Sequence, residues 1–569
     1  MGSEFGITAD SKPQVNLDSV GIWWLCWASI WTFLLLCGMG YLISNRHSHI
    51  LRIRGIGLSL IAVVLLHLYW LSAQLAYVIG ALAPEESEYW IMGIYLPLGI
   101  ALFHASNGRF LYVAQAQQRY LNRLADIPAK PRCGKGIYGR FKKLDYTSKM
   151  VLLVGIGMGF QLFLTIFMYL ISRKFHSGWG IPGTEVHGTQ MEQKMQQGRG
   201  WEWWPSILWQ FIWAWFVAPC ILWKSHNAHN THGWRTQTIG CAVAGLHATP
   251  MWLIALYVPG MEAVNKYFVP PQWFAISIWI LEVFTVFLPC WEVMQAGTLR
   301  RETLDVIAQW ESKNKASGSS AKSLNTTSTV VESLMTGHKS ISGSVKSTDS
   351  QESILTMSAL EYVLERNPTP LQQFSSLRDF SGENIAFLTS VAEWRASLPQ
   401  GASDGHKDES TRELVRKKFN RALHIYTEFI SIKDAEFPIN IASSEFKKLE
   451  AIFELPARIL YGEKSEVDPA IPFSFTGVQS KSMDAASVGS EKAGNDVHTI
   501  EDRVAYWGEV PDSFDETVFD DSEKHIKYLV LTNTWPKFVK DRRGSIEAAE
   551  AVETGRSIIQ MMRHRHAKQ

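Results

Sequence analysis

Cysteine is scarce: six in 569 residues, with no pair at metal-ligand spacing. Cys26, Cys37, Cys220, Cys241 and Cys290 lie in apolar runs and Cys133 in a basic loop, which excludes a disulfide framework. Net charge is nearly absent at +1, and no domain-wide basic excess exists, so a nucleic-acid partner is excluded. The first twenty residues carry Glu4, Asp10, Lys12 and Asp18 and no basic n-region. The first apolar run outlasts a signal h-region, so no cleavable signal peptide is expected. β-Strand alternation is missing throughout, and no motif asks for a cofactor or a metal.

Charge is missing most of all from one half of the chain. Residues 1–296 hold 35 of the 109 Asp, Glu, Lys and Arg residues but 19 of the 23 Trp; residues 297–569 hold the other 74 charges and 4 Trp. The mean hydropathy of −0.03 averages two unlike halves. The first is too apolar and aromatic for a soluble domain, which excludes a purely soluble enzyme.

What is present in that half is a series of apolar runs. A bilayer core needs about 20 apolar residues per helix. Seven runs qualify, at 21–43, 55–83, 89–115, 149–171, 203–223, 236–258 and 271–296, after an N-terminal tail of residues 1–20. The lipid bilayer is therefore an expected partner. Loops after the first, third and fifth runs carry fourteen Lys and Arg; the opposite side carries six, Lys12, Arg173, Lys174, Lys194, Arg199 and Lys266. Basic loops stay cytoplasmic, which predicts an outside N-terminus and a cytoplasmic C-terminus, with the plasma membrane the expected location.

Seven spans in that orientation resemble the architecture of G-protein-coupled receptors and leave room for an extracellular small ligand. The motifs of rhodopsin-like receptors are missing: the third run reads Ser106-Asn-Gly-Arg-Phe110, and the seventh ends Leu288-Pro-Cys-Trp-Glu292. Polar groups inside spans are functional hypotheses by default. His67, His104, His247 and Glu282 stand out, with His247 and Glu282 near the middle of their runs. Two readings stay open for them: interhelical packing, or a ligand or proton site. Pro97, Pro219, Pro250 and Pro289 mark expected kinks or helix ends. His226, His229 and His232 recur every third residue, but no carboxylate or thiolate joins them, and a solvated loop is the expectation.

Residues 297–353 read as a linker, of which 311–353 is dense in Ser, Thr, Lys and Gly and lacks an apolar face. Asn325-Thr-Thr fits a glycosylation pattern but falls on the cytoplasmic side. From 354 the pattern is helical. Ser381 is the expected N-cap of a helix over 382–396 with Ile385, Leu388 and Ala392 on its buried stripe, which turns Asn384 outward. A helix over 411–431 has Val415, Phe419, Ala422, Tyr426 and Phe429 on one face; another covers 444–454. The fold class is all-α throughout: a seven-helix transmembrane bundle followed by a cytoplasmic α-helical bundle over 354–545, with an inserted loop at 463–510 and a C-terminal helix or tail at 546–569.

The second half carries a resemblance. Leu360-Glu-Tyr-Val-Leu364, Leu371-x-x-Phe374 and Asp379-Phe-Ser-Gly-Glu-Asn-Ile385 are similar to the opening of a regulator-of-G-protein-signalling (RGS) domain. Ile425-Tyr-Thr-Glu-Phe-Ile-Ser431 and Ile439-Asn-Ile441 resemble its middle; Phe519-Asp-Asp-Ser, Ile526, Leu529 and Trp535-Pro-Lys-Phe538 resemble its end. With seven spans in front, the whole resembles the receptor-like RGS proteins of fungi and plants. The resemblance implies a domain that binds an activated Gα subunit and accelerates GTP hydrolysis without catalytic residues of its own, so the chain is not itself an enzyme. Gα supplies an arginine in cis and a glutamine that orients water, and the added domain holds the switch segments in place. It further implies Gα contacts at Ser381, Glu383, Asn384, Asn440, Leu529, Asn533, Thr534 and Lys537. The last three replace a family Asp-Ser and Arg, so Asn533 lacks a charge and Lys537 lacks the guanidinium fork. The alternative is a seven-transmembrane receptor, transporter-like or anchoring protein whose RGS-like domain only scaffolds Gα.

The Lys/Arg asymmetry generates a first prediction: protease added to intact cells leaves residues 354–540 uncut. Digestion of that region from outside, mapped by mass spectrometry, would reverse the topology.

Overall fold

The computed structural model describes residues 12–83, 86–124, 146–176, 178–225, 231, 233–317, 331, 354–397, 409–435, 437–462 and 505–545. The chain divides into two compact units, the first essentially residues 1–294 and the second the remainder. Both are helical. Among the described residues, β pairing is confined to an isolated bridge between Ser172 and Ile181.

Among the described residues, the first unit contains seven helices long and apolar enough to cross a membrane. They are α1 (Ser19–Ser44), α2 (Ile56–Ile79), α3 (Ser87–Asn122), α4 (Ser148–Ile171), α5 (Trp201–Ser225), α6 (Trp234–Tyr257) and α7 (Gln272–Gln309). The number and order agree with the seven apolar runs. Their outward faces are hydrocarbon: Phe33 is 67% exposed, Ile156 64% and Phe216 60%. Contiguous apolar surface of this kind suits lipid, not water. Inside, Leu66, Trp70, Phe103, Trp252 and Ile278 belong to one packed core.

The prolines act through the backbone. A proline has no N–H, so the carbonyl four residues earlier loses its helical partner. In α3, α5 and α7 a π turn sits immediately upstream, at Ile91–Tyr95, Trp213–Val217 and Val283–Phe287. These end two residues before Pro97, Pro219 and Pro289. In each, the residue just before the proline donates its N–H to the carbonyl five back: Leu96 to Ile91, Ala218 to Trp213 and Leu288 to Val283. Each helix widens one turn here, as expected where every backbone group must be bonded internally. Near Pro250, α6 is instead interrupted at His247, between Trp234–Leu246 and Ala248–Tyr257.

Polar bonds close both ends of this unit. Asp18 caps α1, accepting from Gly21 N–H at 2.7 Å and from the Tyr77 hydroxyl at 2.7 Å. The Tyr77 hydroxyl and the Gly21 amide hold the Asp18 carboxyl below its ordinary range. The segment between α4 and α5 is tied by its cations. Arg173 meets Glu185 at 2.8 Å and Lys174 meets Glu202 at 2.9 Å. Lys194 donates to the Ala81 and Ala83 carbonyls at 2.9 Å each, and Arg199 to the Leu256 carbonyl at 2.6 Å. At the other end, Arg54 bonds Gln237 at 2.5 Å and Glu292 at 2.6 Å and lies over the Trp234 ring. Gly55 follows it in the left-handed region (φ 64°), where an added Cβ would meet the Arg109 guanidinium at 2.9 Å.

One expectation is corrected at the linker. The helix that continues α7 runs to Ser317, through residues assigned from composition to a flexible segment. The rest of the linker apart from Val331, the His226–His232 loop except Thr231, most of the 463–510 insertion and the 546–569 tail lie outside the described residues.

The second unit contains α8 (Met357–Arg366), α9 (Thr369–Phe374), α10 (Gly382–Ala396), α11 (Glu409–Phe429), α12 (Ser443–Tyr461) and α13 (Asp520–Leu529). After α13 a π turn, Val530–Thr534, again precedes a proline, Pro536, and the chain stays helical to 545. The core is aromatic. Phe453 stacks on Phe419 at 5.5 Å, Tyr426 at 5.3 Å and Phe519 at 5.9 Å. Trp535 donates to the Ile354 carbonyl at 2.8 Å, fastening the end of the unit to its beginning. Two members of the expected stripes differ: Val415 is 37% exposed, and Ala392 is exposed while Val391 and Trp394 are buried.

Phe453 joins three segments through stacked rings and is fully buried. Phe453→Ala is therefore expected to destabilise the second unit by about 3–5 kcal/mol, the range for large-to-small core changes. Pulse proteolysis of the purified chain in urea measures it; a loss below about 1 kcal/mol, the scale of a surface change, would mean the aromatic cluster is not the core.

Candidate functional site

Two buried polar groups stand out, one in each unit. In the second, the turn before α10 is unusual. The π turn Ser375–Asp379 ends at Phe380, whose φ of 52° is left-handed, a conformation uncommon for a bulky side chain. Ser381 N–H bonds back to the Ser375 carbonyl at 2.9 Å, and Gln372 donates to the Gly382 carbonyl at 2.9 Å. This tight reversal turns the fully buried Asp379 toward the far end of the chain.

Three donors surround that carboxylate. Thr534 and Ser381 hydroxyls donate to Asp379 Oδ2, each at 2.9 Å, and Lys537 Nζ reaches Oδ1 at 2.8 Å. The two hydroxyls are 3.3 Å apart. A buried carboxylate is tolerable only when paired and hydrogen-bonded, and this one is both. The widened turn Val530–Thr534 presents Thr534, and Lys537 follows three residues later on the same helical face.

The structure thus brings together Ser381, Thr534 and Lys537. Ser381 does not cap α10 with its side chain as expected; its hydroxyl donates to Asp379 instead. Glu383 is 5% exposed. Asn440 lies in the loop before α12, Leu529 at the end of α13 and Asn533 within the π turn; all three are half-buried and take no part in these bonds.

Asn384 is the main correction. Expected to face outward, it is 1% exposed, and neither its Nδ2 nor its Oδ1 has a hydrogen-bond partner among the described residues. The whole first half of α10, Gly382 to Leu388, is buried, so a single-stripe reading of this helix fails.

In the first unit, Glu282 is 1% exposed and accepts from Trp31 Nε1 at 2.5 Å. Its other oxygen is 2.9 Å from His67 Nδ1, whose Nε2 is 3.0 Å from the Thr32 hydroxyl. His67 also stacks on Trp70 at 5.1 Å. This group ties α1, α2 and α7 together. His247 is not part of it; half-buried, it occupies the break in α6. Of the polar residues singled out by sequence, Glu282 and His67 meet, while Trp31, whose indole reads as apolar, was missed. Asp379 was seen only as a letter of a motif; burial of a carboxylate beside distant hydroxyls leaves no periodic signal.

No protein-family model, curated protein or solved structure matches the chain.

The Asp379 group makes a direct claim on stability. Asp379→Ala strands the Lys537 ammonium and two hydroxyls and is expected to cost about 3–5 kcal/mol, as when one partner of a buried pair is removed. Denaturant unfolding of the purified chain tests this, and a change below about 0.5 kcal/mol, the scale of a surface substitution, would show that the carboxylate holds nothing together.

Proposed function

We propose that the chain is a membrane-anchored regulator of heterotrimeric G-protein signalling, which binds activated Gα and accelerates its GTP hydrolysis. The observation that carries this reading is the Asp379 group. The blocks that resemble the opening and end of an RGS domain lie about 150 residues apart in sequence, and Ser381 from one meets Thr534 and Lys537 from the other through a single carboxylate. Both blocks held together in one compact unit is what a Gα-binding domain of this kind needs. In this reading the chain supplies no catalytic group. Gα contributes the arginine and glutamine, and the chain holds the switch segments in a reactive arrangement.

The seven apolar helices anchor the regulator, with the N-terminus outside and the second unit in the cytoplasm, as the Lys/Arg asymmetry favours. Four of the six basic residues on the outer side, Arg173, Lys174, Lys194 and Arg199, have structural partners there.

A second reading, a scaffold that binds Gα without accelerating hydrolysis, draws on Asn384. In the chain alone its side chain is covered, so a partner reaches it only when the cover is displaced. One experiment separates the two. The purified full chain in detergent micelles is added to a GTP-loaded Gα and single-turnover hydrolysis is followed. The regulator accelerates it; the scaffold binds with no change in rate. Asn384→Ala is expected to weaken acceleration roughly tenfold or more, equivalent to about 1.4 kcal/mol. Its unpaired amide has no intramolecular hydrogen bond to lose, so folding stability should fall by no more than about 1 kcal/mol. Full acceleration by the variant would remove Asn384 from the interface.

A further inference from the structure

Between α2, α3, α5, α6 and α7 the first unit encloses a cavity that neither the Glu282 group nor the proposed Gα surface uses. The interior left for the centres of water-sized groups is about 50 Å³, several times the roughly 10–15 Å³ that one water needs, so the room is for a very small molecule. The walls are mainly aliphatic and aromatic, with Leu66, Phe103, Phe274 and Ile278 among them, and no Asp, Glu, Lys or Arg among the described residues lines it.

Two lining side chains have unmet hydrogen-bonding capacity. Gln210 is 2% exposed, and neither its Nε2 nor its Oε1 has a partner among the described residues. His104 also lines the cavity; its enclosed Nδ1 is likewise unpartnered, and its ring is held flat against Trp213 at 5.2 Å. Enclosed polar atoms without partners are rare, and more so where no bulk water reaches. Gln210 lies three residues before the π turn Trp213–Val217, a distortion that recurs at functional sites in helices. Empty space is also kept by small residues. A Cβ added to Gly245 would meet only the Ala214 methyl, at 3.9 Å.

We infer that this cavity binds a small neutral amphiphile: a compact hydrocarbon body bearing one carboxamide, or an equivalent group that donates and accepts at once. A primary amide pairs with the Gln210 carboxamide through two reciprocal hydrogen bonds, and the hydrocarbon body fills the apolar walls. A charged ligand would find no counter-ion there. An alkyl chain from lipid would leave Gln210 unpaired. The site lies within residues 66–281, so the inference stands whether or not the second unit regulates Gα.

The test uses the full chain in phosphatidylcholine nanodiscs and a series of tritiated probes: cyclopropane-, cyclopentane- and cyclohexanecarboxamide. At least one is expected to bind saturably at one site, with methylcyclohexane about tenfold or more weaker as a competitor. Gln210→Leu should lower amide affinity by about tenfold or more while raising the melting temperature of the unliganded chain, because an unpaired amide is removed. Gly245→Leu should fill the void and abolish saturable binding. Three results would overturn the inference: no saturable binding of any amide, which leaves a cavity for water alone; equal competition by methylcyclohexane, which makes it a slot for lipid chains; or a lowered melting temperature in Gln210→Leu, which makes the amide structural. If Gly245→Leu does not fold, the Gln210→Leu measurements still decide.

Discussion

In the hydrocarbon interior of a bilayer every peptide group must find its partner within the protein, and the first unit is organised around that constraint. Helices satisfy it residue by residue; prolines violate it once each. The repair used in α3, α5 and α7 is the same, a carbonyl re-bonded five residues on, just before the proline. Each repair inserts an extra residue into one turn and so rotates the helix beyond it. Glu282 is the last residue before one such turn and Gln210 stands close to another. The residues with the most consequential polar side chains thus sit where the backbone has been re-aimed.

The second unit applies the same device to a different end. The turn Val530–Thr534 widens ahead of Pro536 and sets Thr534 against Asp379. Asp379 in turn depends on the left-handed Phe380, a conformation sustained because the phenyl ring is 2% exposed in the core. Strain, burial and ion pairing support one another here: without Lys537 and the hydroxyls the carboxylate would be too costly to bury.

Much of this architecture is legible in sequence, and what is not has identifiable causes. Seven runs of about 20 apolar residues are read directly because lipid imposes a minimum length. Helices α10, α11 and α12 follow from apolar periodicity and turn residues, with α12 running farther, to Tyr461, through Pro456. The far end of α7 is hidden because a charged, solvated helix and a polar linker have similar composition; only helix propensity distinguishes them, and it is a weak prior. Ser381 is misread because an N-cap serine and a serine serving a neighbouring carboxylate look alike in one dimension. Asn384 is misread because period-3.6 reasoning assumes one wet face, and the first half of α10 has none. Glu282 is visible as an anomaly, but its partners lie 215 and 251 residues away, so their pairing could not be read from sequence.

The two buried carboxylates differ in a way that bears on what each can do. Asp379 is paired with an ammonium group and two hydroxyls whose helices also pack through Phe374 and Phe538. Removing any one donor leaves the others, and the group works as a clamp. Glu282 has as partners an indole, which donates only, and an imidazole, whose second nitrogen faces Thr32. Imidazole is the one partner here whose ring nitrogens can each donate or accept according to tautomer, and helices α1, α2 and α7 all contribute to the group. A shift of any of these helices changes the partners of His67, and a change at His67 alters what holds the helices together. The Glu282 group is therefore a place in the first unit where three helices share one set of side-chain hydrogen bonds, whereas Asp379 ties packing to an ion pair.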